Sequence, residues 1–151
     1  MKKLMLLAAV LVACGPSEQA TTDTGQTAAA AAAPMALTAA DITGTWTGTI
    51  MPEVGDSVLG RFTVVSTGME SKGVLEGTKD TVTYTHTLDA DSFIAVSAPY
   101  RNSMAPGRPQ VTDRVVGRKL GDKLVGTTVV SLVSKPDSVV MRARWEATKA
   151  P

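Results

Sequence analysis

The chain has 151 residues, 15 basic and 14 acidic residues, and a single cysteine. One thiol excludes an intramolecular disulfide and any metal site built from several cysteines. The charge is nearly balanced, and we expect no nucleic-acid partner.

The first 13 residues have the parts of an export signal. Lys2 and Lys3 precede an apolar segment over residues 4–13, which is shorter than the about 20 residues that a membrane-spanning helix needs. The segment ends in the run LVAC, with Cys14 last, and this run resembles the lipobox of bacterial lipoproteins. The alternative is an ordinary cleaved signal followed by an incidental cysteine.

The lipobox resemblance implies a lipid anchor. Cleavage would fall before Cys14, whose thiol would carry a diacylglycerol and whose new amino group would carry a further acyl chain such as palmitate. Two or more acyl chains hold a protein stably on a membrane. Gly15 follows, where an Asp commonly favours the inner membrane of Gram-negative bacteria, so in a Gram-negative envelope we expect the outer membrane rather than the inner one.

The next segment, residues 14–37, is predicted to be a tether. It consists mainly of Ala, Thr, Ser, Gln and Gly, and it lacks the apolar surface that would offset the entropy of ordering. The remaining residues, 38–151, have the length of one small domain.

Sequence periodicity in this domain indicates strands. Val82, Tyr84, His86 and Leu88 share one face of a segment whose other face is threonine, as a half-buried strand requires. The same alternation places Val139, Met141, Ala143, Trp145 and Ala147 on one face near the C-terminus. Turn residues separate eight predicted strands, near 43–50, 58–67, 72–78, 82–88, 91–98, 110–120, 123–133 and 139–148.

Short strands joined by short turns favour an all-β, eight-stranded antiparallel meander barrel, with an open β-sandwich as the alternative. A barrel of this size is filled by side chains or holds one small ligand.

Three short motifs are similar to motifs of the calycin group, which contains the lipocalins and avidins. They are Gly-Thr-Trp at 44–46, residues 73–78, and residues 145–151. The resemblance implies a barrel in which Trp46 plugs one end. Gly48 and Lys79 stand where avidins place biotin-binding Asn and Tyr, so biotin binding is not expected.

Candidates for catalysis are sparse. His86 is the only histidine, and its strand face indicates a hydrogen-bonded interior residue. Asp89 and Asp91 flank a turn without a third acidic residue at calcium-loop spacing. We therefore expect no metal, no cofactor and no enzymatic activity.

The longest predicted connection, residues 99–109, is the best candidate for binding. It offers Tyr100, Arg101, Met104 and Arg108, which are suited to a cavity mouth or an anionic partner. The alternative is a solvated, proline-stiffened crossover.

Charge is unevenly distributed along the domain. Residues 38–100 carry three basic and eight acidic residues, whereas residues 101–149 carry ten and four. This asymmetry predicts pairing between the halves, with a partner-binding field as the alternative.

Two functions follow from these expectations. One is a membrane-anchored protein that binds a small apolar or amphipathic ligand in space left by small interior residues, namely Gly48, Ala95, Gly117, Gly126 and Ala143. The other is an envelope structural or protein-interaction module with a filled barrel.

Overall fold

The computed structural model describes residues 36–103 and 105–151. The predicted signal peptide, Cys14, nearly all of the tether, and Met104 lie outside this part of the chain. Within it are one short helix, α1 (Ala39–Ile42), and nine strands. The strands are β1 (Gly44–Pro52), β2 (Gly60–Ser66), β3 (Glu70–Leu75), β4 (Thr81–Asp89), β5 (Ser92–Ser97), β6 (Tyr100–Arg101), β7 (Gln110–Leu120), β8 (Lys123–Leu132) and β9 (Lys135–Lys149).

Eight of these strands form a closed antiparallel barrel. Each pairs with its neighbour in the chain, β5 pairs with β7, and β9 returns to pair with β1. The barrel prediction is confirmed and the open sandwich is wrong. Closure leaves no unpaired edge among the eight strands. The two-residue β6 is additional and pairs only with the start of β7.

The eight predicted strands match the observed ones closely, but three local features differ. Helix α1 was not predicted, and β6 lies inside the connection predicted over residues 99–109. Val139 is exposed, because the pairing of β8 with β9 shifts register at Val130 and Ser131 and breaks the alternation there. None of the described helices is long and apolar enough to span a membrane.

One end of the barrel is closed by the residues around α1. Ile42 and Trp46 are buried, and the indole nitrogen of Trp46 donates a hydrogen bond to the Ile42 carbonyl, 3.1 Å away. Leu37 also belongs to this core and donates its amide to the carbonyl of Ala90. Leu37, the last residue of the predicted tether, thus packs against the barrel domain.

Helix α1 is fixed to the barrel through Asp41. Its carboxylate accepts hydrogen bonds from the backbone amide and the hydroxyl of Thr38 and pairs with Lys119, whose Nζ lies 2.6 Å away. The Lys119 contact is the main cause that holds the pKa of Asp41 well below its ordinary value, and the Thr38 bonds act in the same direction. The carboxylate therefore stays charged and keeps both contacts at neutral pH.

Aromatic rings cross the interior above glycines. Phe93, Gly117, Gly126 and Trp145 are directly paired in one row across four neighbouring strands. Because the two glycines have no side chain, the rings of Phe93 and Trp145 meet over them, with centroids 6.1 Å apart. A Cβ on Gly117 would lie 2.5 Å from Phe93.

The glycines therefore do not leave the interior space that the sequence suggested. Phe62 covers Gly48 just as Phe93 and Trp145 cover the other two. Each glycine makes room for a ring of a neighbouring strand.

Candidate functional site

A cavity of about 180 Å³ remains inside the barrel. It extends from the neighbourhood of Trp46 at the closed end to Tyr100, Arg101, Asn102 and Ser103 at the opposite end. Its walls are mainly apolar and aromatic, and they include Val64, Val82, Phe93, Ala95, Val115 and Val130. An apolar enclosure with few polar groups is typical of small-molecule sites.

A carboxylate and two phenols form the main polar cluster of this cavity. Asp113 is only 7% exposed and accepts hydrogen bonds from the hydroxyls of Tyr84, at 3.1 Å, and Tyr100, at 2.9 Å. Its backbone amide donates to the hydroxyl of Ser97. The cluster ties β4, β5, β6 and β7 together at one end of the barrel.

Burial dominates the ionisation of this cluster. It raises the pKa of Asp113, although the two tyrosine hydrogen bonds act against it. Burial and the nearby carboxylate raise the pKa of Tyr84 and of Tyr100 well above the ordinary value, so both phenols remain donors. The carboxylate is thus held in a place where its charge is poorly solvated.

His86 lies on the interior face, as its strand pattern predicted. Its Nε2 is 2.8 Å from the Ser71 hydroxyl, and its ring stacks on Phe93 with centroids 5.7 Å apart. Burial lowers the pKa of the imidazole more than the Gly68 carbonyl raises it. His86 is therefore a neutral part of the wall at pH 7, and its side-chain hydrogen bond goes to a hydroxyl.

Two further polar side chains line the cavity without a partner. The hydroxyl of Thr128 and the indole nitrogen of Trp145 are buried and have no hydrogen bond to any described residue. Such groups are costly to bury unpaired. They show that the interior is not purely apolar.

Of the four residues that the sequence suggested for binding, two line the cavity. Tyr100 joins the Asp113 cluster, and Arg101 lines the cavity end while remaining exposed. Arg108 is not part of the cavity lining, but it pairs at 3.0 Å with Asp80, which is. Met104 lies outside the described residues.

Asp113 and Tyr84 were missed as site residues. Alternation along β7 places Val111, Asp113 and Val115 on one face, so a charged residue between two inward valines was the available signal. Its tyrosine partners come from 29 and 13 residues away, which no local pattern predicts.

The charge asymmetry is resolved in part by ion pairs between the two halves. Three of the four ion pairs found among the described residues join a basic residue of the second half to an acidic residue of the first, namely Arg108 with Asp80, Lys119 with Asp41 and Arg144 with Asp56. These three pairs agree with the expected pairing between the halves.

Comparison with known proteins gives no relative from which a function can be transferred. No family model, curated protein or solved structure matches the chain. Across residues 36–103 and 105–151, no group of His, Cys, Asp and Glu is arranged to hold a metal ion.

Proposed function

We propose that this protein is a lipid-anchored binding protein of the bacterial envelope, with a calycin-like barrel that takes up a small, mostly apolar ligand. The cavity of about 180 Å³ is the observation that carries the proposal. An apolar cavity of about 150 Å³ is large enough to take up benzene. On the same scale, a cavity of about 180 Å³ takes roughly seven non-hydrogen atoms, which is one aromatic ring with a short substituent.

Propylbenzene is a suitable first probe, because its ring has the size of benzene, its short chain can extend toward the Tyr100 end of the cavity, and it has no polar group. We expect saturable binding of one propylbenzene per chain, measured by titration calorimetry on the full-length protein. Ala95→Phe places a ring into the cavity wall, whereas Val96→Phe alters the exposed neighbour. Loss of binding in the first variant alone supports the proposal, and equal binding in both variants contradicts it.

A filled envelope module is the second candidate. The rings of Phe62, Phe93 and Trp145, packed over glycines, favour it because they occupy part of the interior. If neither propylbenzene nor its amine, alcohol and carboxylate analogues bind, this candidate is favoured over a ligand carrier.

The anchor is tested separately from the cavity. Cells that express the protein are fed labelled palmitate, and we expect the label in the full-length chain but not in Cys14→Ser. Two or more acyl chains make attachment stable, so the labelled protein should sediment with outer-membrane vesicles. A mature protein that starts at another residue, or equal label in both chains, would contradict the anchor.

A further inference from the structure

Asp113 is the one carboxylate that is buried among residues 36–103 and 105–151. It lines the cavity, and none of the ion pairs formed by the described residues includes it. A buried carboxylate is expensive unless it is paired or well hydrogen-bonded. The site therefore holds a negative charge, or a group ready to become one, without a protein cation beside it.

The hydrogen bonds of Asp113 leave acceptor capacity unused. Tyr84 and Tyr100 supply two hydroxyl hydrogens to the side chain, whereas an ionised carboxylate accepts about four hydrogen bonds. A ligand that brings N–H donors would complete the set.

The other ionisable side chains of the cavity do not supply a cation for Asp113. Asp80 also lines it, but its side chain is exposed and its charge is paired with Arg108. His86 is buried and bonded to Ser71, and Arg101 is exposed at the end of the cavity. The interior thus combines one unpaired carboxylate with aromatic walls and no buried cation.

The aromatic side chains of the cavity suit a cationic ligand as well. Tyr84, Tyr100 and Phe93 line the same cavity, and aromatic rings attract alkylammonium groups when water is excluded. An anionic ligand would instead meet the charge of Asp113 at close range.

We propose that the cavity binds a small organic amine, with its ammonium group on the carboxylate of Asp113 and its apolar body among the interior valines and aromatic rings. This inference rests on the proposed function, because it assigns a ligand class to the same cavity. It narrows that class to cationic amphiphiles and excludes fatty acids and other anions.

Four probes of nearly equal size test the assignment on the full-length protein. They are 2-phenylethylamine, 2-phenylethanol, propylbenzene and phenylacetate, titrated by calorimetry at pH 7. Hydrogen bonds to charged groups are stronger than neutral ones, so we expect the amine to bind roughly ten- to a hundredfold more tightly than propylbenzene. The alcohol should lie between them, and phenylacetate should bind weakest.

Asp113→Asn is the decisive variant, since it keeps the shape and an acceptor for the tyrosines. We expect the amine preference over propylbenzene to fall to within about threefold, while propylbenzene itself binds as before. Thr128→Val, at another polar position of the wall, serves as the matched control and should retain the preference.

The outcomes separate the two proposals. If propylbenzene binds and the amine binds no more tightly, or if phenylacetate binds best, the amine assignment is overturned and the binding function stands. An amine preference that persists in Asp113→Asn also overturns the assignment. If that variant does not fold, the ranking of the four probes on the wild-type protein still decides between the outcomes. If no probe binds, both proposals fail.

Discussion

Replacing Trp46 with Ala is expected to lower the free energy of unfolding by about 4 kcal/mol. Trp46 is 4% exposed, packs with Ile42 and Leu37 at the closed end, and lies 5.7 Å beneath the ammonium of Lys149. Truncation of a buried tryptophan to alanine typically costs about 3–5 kcal/mol, and here it also leaves the Ile42 carbonyl without its donor.

Urea unfolding followed by far-ultraviolet circular dichroism measures this loss. Trp46→Phe is the matched variant, because it keeps a ring but removes the hydrogen bond, and we expect it to lose about half as much. A loss below about 1.5 kcal/mol for Trp46→Ala would show that this tryptophan does not hold the closed end together.

The second large effect is expected at Gly126. A Cβ at this position would overlap the backbone carbonyl oxygen of Val116 and lie 2.8 Å from the Trp145 ring. Because a backbone atom cannot turn aside as a side chain can, Gly126→Ala should destabilise the barrel by about 3 kcal/mol.

Gly73 provides the control for this experiment. It is also an interior strand glycine, but a Cβ there would meet Val64 at 3.3 Å and Tyr84 at 3.4 Å, both through side chains. Gly73→Ala should therefore cost less than about 1 kcal/mol in the same denaturation experiment. Equal effects at the two positions would mean that Gly126 is not needed for the close approach of β7, β8 and β9.

The architecture was accessible from the sequence because its strands are regular. Alternation along residues 82–88 placed His86 and Tyr84 inside, where the structure has them. Turn residues fixed the boundaries of the other strands to within a few positions. Closure of the barrel follows from strand number and antiparallel order, both of which are encoded locally.

The features that the sequence did not predict depend on contacts between residues far apart in the chain. Gly117 and Gly126 were predicted to leave interior space. The structure fills that space with rings from β5 and β9, whose position no pattern within β7 or β8 indicates. Asp113 was not predicted as a site residue, because its hydrogen-bond partners Tyr84 and Tyr100 lie on other strands. Helix α1 has four residues, too few for a helical period to show.

Methyl NMR of the full-length protein, titrated with propylbenzene, tests the central claim that a ligand enters the barrel most directly. Val64 and Val65 are consecutive in β2, yet Val64 lines the cavity while Val65 is 54% exposed. We predict saturable shifts of the Val64, Val82 and Val115 methyl signals, with those of Val65 and Val96 unchanged. Shifts confined to the exposed valines, or none at all at saturating probe, would contradict a ligand-binding interior.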